Sequence, residues 1–182
     1  MAAAGDAYGA AFLGRGPLIF VTVGSLLPFD RLISRMDEIA ASLPGETFFA
    51  QIGDGAYKPR HMEYARSLSR RDFTSKVETA TAMVAHAGMG SVISAMEVGT
   101  PIVLLPRRLE AGEHNTDHQF ATARWLQGRG GISVCFSEDE LEATLQDIVR
   151  ASRPAGTLAR VAPAEFVQKI RAAIADSPGG RR

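Results

Sequence analysis

The sequence predicts an α/β domain, a mostly parallel sheet with helices on both faces. Two observations carry this. From Leu18 onward, short apolar and β-branched runs alternate with stretches of helical periodicity. The runs are continuously apolar, as in strands covered by helices on both sides, and a repeating strand-helix-strand order imposes a parallel sheet.

Leu18-Ile19-Phe20-Val21-Thr22-Val23 is the first such run, closed by Gly24-Ser25. Asp30 to Leu43 places Leu32, Met36, Ile39 and Leu43 on one helical face, and Pro44-Gly45 ends it. Thr47 to Ile52 reads as a second strand. Met62 to Leu68 carries a weak helical pattern, Phe73 is expected to end a short strand, and Ser75 to Thr81 fits a short helix. Ala82 to Ala85 is a strand, and Ser91 to Val98 a helix closed by Gly99 in the left-handed conformation, with Pro101 beyond it. Ile102 to Leu105 and Ile132 to Phe136 are strands on either side of a helix from Asp117 to Leu126. Ser137-Glu138-Asp139-Glu140 has the form of a capping box opening a helix to about Ser152. A last helix, about Pro163 to Ala175, aligns Phe166, Ile170 and Ile174.

The expected organisation is one Rossmann-like domain over residues 18–176, between tails at 1–17 and 177–182. A length of 182 residues suits one domain, and 46% hydrophobic residues fill its core. Lys+Arg and Asp+Glu both number 20, and this balance argues against a dedicated nucleic-acid binder. The single cysteine, Cys135, excludes an intrachain disulfide and reads as a buried strand thiol in a reducing compartment. No stretch has the length and apolarity of a membrane span.

In a parallel sheet, ligands bind beyond the carboxyl ends of the strands. Three loops lie there: Gly24 to Phe29, His86 to Ser91, and Pro106 to Gln119. The second is the strongest. In His86-Ala87-Gly88-Met89-Gly90-Ser91, two glycines admit close approach of a ligand to the backbone, and the following helix start aims N–H groups and a positive dipole end at it. A diphosphate fits such a place. His86 is positioned to donate to it, and an anion would favour the protonated imidazole over its ordinary pKa of about 6.5. A tight turn capped by serine remains the plain alternative. The dinucleotide fingerprint is absent, since no third glycine or acidic residue falls at its offsets. In the third loop, Glu113-His114-Asn115-Thr116-Asp117-His118-Gln119 offers groups that both donate and accept, as sugar hydroxyls require. His114 and His118, four apart, have no clear third partner for a metal. Arg107-Arg108 is a candidate contact for phosphate or for a partner, with a solvated basic pair as the default reading.

These pieces together resemble the glycosyltransferase family 28 C-terminal domain, the donor half of the GT-B fold, from about Ile19 to Ile148. The resemblance rests on Phe20-Val21-Thr22-Val23-Gly24, on Phe29-Asp30-x-Leu32-Ile33, on Gln51-Ile52-Gly53, and on His86-Ala87-Gly88-x-Gly90-Ser91 continuing to Gly99-x-Pro101. It is similar to free-standing bacterial exopolysaccharide subunits that work in pairs, and to the soluble subunit of the dolichol-linked N-acetylglucosamine transferase. The resemblance implies that Gly24 and Ser25 lie by the nucleotide. It places His86, Gly88, Met89, Gly90 and Ser91 at the diphosphate, and His118-Gln119 near the donor sugar. Relatives carry a ribose-binding glutamate eight residues after the histidine; here that position is Ser94, with Glu97 one helical turn on.

It further implies an inverting, metal-independent hexosyl transfer without cofactor, from a UDP-sugar to a polyprenyl-diphosphate-linked saccharide in exopolysaccharide or capsule synthesis. The acceptor site and general base would then belong to a membrane-anchored partner subunit, which would hold this chain at the cytoplasmic face of the membrane. The helix at 163–175 is a candidate docking surface for it. Rival readings are an activating subunit that holds no donor, a sugar-nucleotide epimerase (which needs a second domain), and a plain nucleotide-binding module.

Overall fold

The computed structural model describes residues 17–151. The sheet has six parallel strands in the order β3-β2-β1-β4-β5-β6. They are β1 (Leu18–Thr22), β2 (Thr47–Gln51), β3 (Glu63–Ala65), β4 (Ala82–Ala85), β5 (Ile102–Leu104) and β6 (Ile132–Val134). The helices are α1 (Asp30–Ser42), α2 (Arg70–Thr79), α3 (Met89–Val98), α4 (His118–Leu126) and α5 (Leu141–Ala151), with a single 3-10 turn at Glu138–Glu140 ahead of α5. The expected α/β class and parallel sheet are present.

The apolar runs are continuous because alternate residues serve opposite faces. Ile19, Val21, Phe48, Ala50, Ala82, Val84 and Val103 pack with Leu32, Met36 and Ile39 of α1 and with Leu141 and Leu145 of α5. Phe20, Phe49, Met83, Ala85, Ile102 and Leu104 pack with Val77 of α2, Val92 and Met96 of α3, and Ala123 and Leu126 of α4. Pairing at β1 extends one residue past Thr22, since the Val23 N–H donates to the Gln51 carbonyl at 3.1 Å. Cys135 is buried just beyond β6, with its Sγ 3.4 Å from Thr144 Oγ1.

Three local expectations are corrected. Met62 to Leu68 holds no helix; its centre is the edge strand β3, paired with Phe49 to Gln51. Phe73 does not end a strand. It lies inside α2, which starts at Arg70 because Ser69 caps it, its Oγ accepting from the Asp72 N–H at 3.1 Å. Tertiary pairing in the first case and a helix cap in the second outweigh the local pattern. Nor does Ser137 form the reciprocal capping box with Glu140. Its Oγ accepts from the Asp139 N–H at 3.3 Å, while Glu140 reaches back to the Phe136 N–H, producing the 3-10 turn. The helix expected at 163–175 and the tails at 1–16 and 177–182 lie outside the described residues.

The long β2–β3 connection is tied down by Asp37, buried on α1. Its carboxylate accepts from the backbone N–H groups of Arg60 (2.9 Å) and His61 (2.7 Å) and from the Tyr57 hydroxyl (2.9 Å). Burial alone would raise its pKa. The hydrogen bonds and the His61 ring outweigh burial and hold it below its ordinary 3.8. Truncation as Asp37→Ala strands three donors and is expected to cost roughly 2–3 kcal/mol in urea denaturation. The wild-type contribution is complete above pH 3.8 and is lost as pH falls below it, because the unfolded chain then binds the proton first. Urea midpoints of wild type and D37A should therefore converge below that pH.

Candidate functional site

The direction of the chain reverses at β1: connections run outward through β2 and β3 on one side and through β4, β5 and β6 on the other. At such a reversal an open α/β sheet has its ligand crevice, here between the loops leaving β1 and β4. Gly24 lies in the first loop, and His86 and Gly88 in the second.

The imidazole of His86 fills the space between the two glycines. A Cβ on Gly24 would sit 2.5 Å from His86 Cε1, and one on Gly88 closer still to Nε2. Gly24 also has φ +78°, a conformation side chains rarely adopt. Its turn is set from below. The Gly24 N–H donates to Thr22 Oγ1 at 3.0 Å, and that hydroxyl donates to Gln51 Oε1 at 2.9 Å. Gly90 differs from these two, having open space around its Cβ position.

His86 Nδ1 is buried and has no hydrogen-bond partner among the described residues. Burial, then the positive charge of Arg107, then His114, depress its pKa to about 4. The ring is therefore neutral at physiological pH while no anion is bound. The expected protonated form would have to be induced by a ligand.

Helix α3 begins at Met89 with Gly88 as its N-cap, and no side chain caps it. Ser91 is buried within the first turn, and its own N–H bonds back to the Gly88 carbonyl at 3.1 Å. The helix start therefore presents N–H groups and the positive dipole end to the crevice beside His86. Ser94 donates its hydroxyl to the Gly90 carbonyl at 2.9 Å, while Glu97, three residues on, is exposed. Gly99 closes the helix with φ 78°, as expected.

The β5–α4 loop reaches the same edge of the sheet. Gln119 is only 4% exposed, and its Oε1 accepts the Arg107 N–H at 3.2 Å. The exposed His118 ring and His114 ring meet edge to face at 4.6 Å between centroids, with the Thr116 hydroxyl between their Nδ1 atoms. No group of three or more His, Cys, Asp or Glu suited to a metal ion occurs among the described residues.

Two features were not visible in the sequence pattern. Arg107 and Arg108 are not a solvated pair. Arg107 is 3% exposed and donates through Nη2 to the carbonyls of Val23 (2.8 Å) and Leu27 (2.6 Å), the two ends of the β1–α1 loop. Arg108 donates to Glu138 at 3.2 Å. Arg31 grips Glu113 with two hydrogen bonds of 2.7 and 2.8 Å and reaches Glu138 at 2.9 Å. Together Arg31, Arg108, Glu113 and Glu138 lock the β5–α4 loop onto α1. The apolar lead-in Leu104-Leu105-Pro106 was the available sign that Arg107 enters the chain from the core.

An open cleft of about 920 Å³ lies elsewhere, lined by Asp37, Tyr57, Arg60, His61 and their neighbours. It shares no residue with the crevice at His86.

Comparisons with known proteins agree with this fold. The profile of the glycosyltransferase family 28 C-terminal domain matches residues 18–174. A mouse protein, UDP-N-acetylglucosamine transferase subunit ALG13, is 29% identical over 126 residues, which is 64% of this chain and 10% of that protein's length. The solution structure of ALG13 superposes with a TM-score of 0.54 at 16% identity, covering 86% of this chain and 95% of that one. MurG from Acinetobacter baumannii gives 0.56 at 19%, over 88% of this chain and 50% of MurG. The kitacinnamycin glycosyltransferase gives 0.59 at 22%, over 75% and 35%. At these identities the structures establish a shared fold, and it is the profile match over residues 18–174 that establishes membership: this chain belongs to the glycosyltransferase family 28 C-terminal domain family.

Proposed function

We propose that this chain is the donor-binding subunit of a two-component, inverting glycosyltransferase that takes its sugar from a UDP-sugar. The observation that carries the reading is the uncapped start of α3 beside the unpartnered His86 ring, in the crevice between the loops of β1 and β4. Helix-start N–H groups and His86 stabilise the charge that grows on the departing diphosphate. Gly24 and Ser25 border the nucleotide. Ser94 and Glu97 lie along α3 for the ribose, and His118 and Gln119 face the sugar from the first turn of α4. Gln119 Oε1 is engaged by the Arg107 N–H, and its amide N–H groups are the donors it has to offer.

The acceptor site and general base belong, in this proposal, to a membrane-anchored partner. MurG is matched over half its length, and the mouse relative is named as a subunit. Among the described residues no helix is long and apolar enough to cross a membrane. The proposed acceptor is a polyprenyl-diphosphate-linked saccharide in exopolysaccharide or capsule synthesis.

Calorimetric titration with UDP-sugars tests the donor site. Saturable binding is expected, weakened about tenfold or more in His86→Ala. Gly88→Ala should weaken it comparably, because its Cβ displaces the ring. With the reconstituted partner, sugar transfer should fall in step with binding. Transfer that persists undiminished with His86→Ala would make this an activating subunit, and binding of NAD without UDP-sugar would overturn the reading entirely.

The pH dependence has a definite sign. The free protein holds His86 at about 4, and an adjacent diphosphate raises it. Between those two values the complex carries more protons than the free chain, so affinity for a UDP-sugar should rise as pH falls from 7.5 to 5.5. His86→Gln should flatten that rise; an identical slope in the variant would contradict it.

A further inference from the structure

Arg107 is a buried guanidinium without a counter-ion. Among the described residues no carboxylate lies within ion-pairing distance of it, and its Nε has no hydrogen-bond acceptor. Glu113, the acidic group that acts on it, is already held by both Arg31 and the Arg108 N–H. Burial lowers the pKa of Arg107 to about 10, so it remains protonated at neutral pH. An unneutralised charge 97% removed from solvent is costly to fold around. Packing alone does not call for it, since an uncharged side chain would fill the same volume at less cost.

Its contacts say what it does. Nη2 bridges the Val23 and Leu27 carbonyls, closing the β1–α1 loop from beneath. Its backbone N–H is held by Gln119. Its guanidinium lies 5.1 Å from the centroid of the buried Phe29 ring, which Arg31 also covers at 5.2 Å. The loop it closes contains Gly24, whose backbone abuts the His86 imidazole. One residue thus joins the β1 loop, the β5 strand end and α4 behind the crevice.

We propose that Arg107 is a positioning residue that sets the Gly24–Leu27 loop against His86 and supplies fixed positive charge behind it for an anionic diphosphate ligand. This rests on the donor reading above for its ligand, and on the ligand-free structure for its geometry. Preorganised charge in a low-dielectric setting attracts an incoming anion without reorganising. The uncompensated cost of folding is offset only when the anion arrives, which is a reason for such a charge to persist at a functional site. Arg107 also disfavours protonation of His86, and the influences bearing on His86 are burial, Arg107 and His114.

The test uses Arg107→Gln, which removes the charge, and Arg107→Lys, which keeps the charge but loses the fork. Ligand-free protein is followed by NMR, reading the His86 ring titration and hydrogen exchange at Ser25, Leu26 and Leu27. UDP is then titrated calorimetrically into each variant. In R107Q the His86 pKa should move up toward its ordinary range, loop exchange should quicken, and UDP affinity should fall about tenfold or more. In R107K the His86 pKa should stay low while loop exchange quickens and affinity falls less. If R107Q does not fold, R107K decides through its exchange and affinity. Equal loop exchange and UDP affinity within twofold of wild type, in whichever variants fold, would overturn the proposal. Failure of the wild type to bind UDP overturns the donor reading, and the ligand part of this proposal with it. The ligand-free measurements still decide whether Arg107 positions the loop.

Discussion

The site depends on one steric constraint: the His86 imidazole and the backbones at residues 24 and 88 occupy a volume that admits no further Cβ. Because the ring fills the gap, the loops leaving β1 and β4 are held close at the point where the sheet reverses its order. Because both neighbours are glycines, the ring can lie against backbone, and α3 can start within reach of it. The requirement is strict at Gly24, where a positive φ adds to the lack of space, and it is absent at Gly90, which faces open volume. The two glycines of the Gly-x-Gly turn therefore do different things. Gly88 makes room for the histidine, and Gly90 leaves the helix start uncovered.

Around this constraint, the charged side chains divide into two groups. Arg31, Arg108, Glu113 and Glu138 neutralise one another and hold the β5–α4 loop to α1. Arg107 stays outside that network, buried and without a carboxylate partner among the described residues. Positive charge at the ligand-free site therefore comes from the α3 dipole and the Arg107 guanidinium behind it and not from a protonated histidine. Arg107 helps to keep His86 neutral until an anion changes the balance. That arrangement favours a ligand carrying concentrated negative charge over one offering only hydroxyl groups.

Much of this was legible in the sequence where local chemistry and tertiary structure agree. The strands at Leu18, Ala82 and Ile102 are buried on both faces, so apolar continuity marked them directly. The glycine at 99 and the histidine before the glycine turn follow from backbone geometry that few residues tolerate. What was not legible depends on partners distant in sequence. The edge strand Glu63–Ala65 is exposed on much of its surface and exists through pairing with β2, so no apolar run announced it. The cap at Ser69 was present as a serine three residues before Asp72, and was obscured by the polar character of the helix that follows. Arg107 looked like a surface residue because its acceptors, the carbonyls of Val23 and Leu27, lie some eighty positions away. Sequence spacing identifies the residues around a site more readily than the contacts behind it.

The central claim is that the glycine turn ahead of Ser91 receives a diphosphate. A crystal structure of the chain with UDP tests it most directly. The diphosphate is expected at the start of α3, with the backbone N–H groups of Met89 and Gly90 and the His86 ring within hydrogen-bonding distance, and Gly24 alongside. A nucleotide seated instead in the cleft between α1 and residues 56–61, with the His86 crevice unchanged, would contradict it.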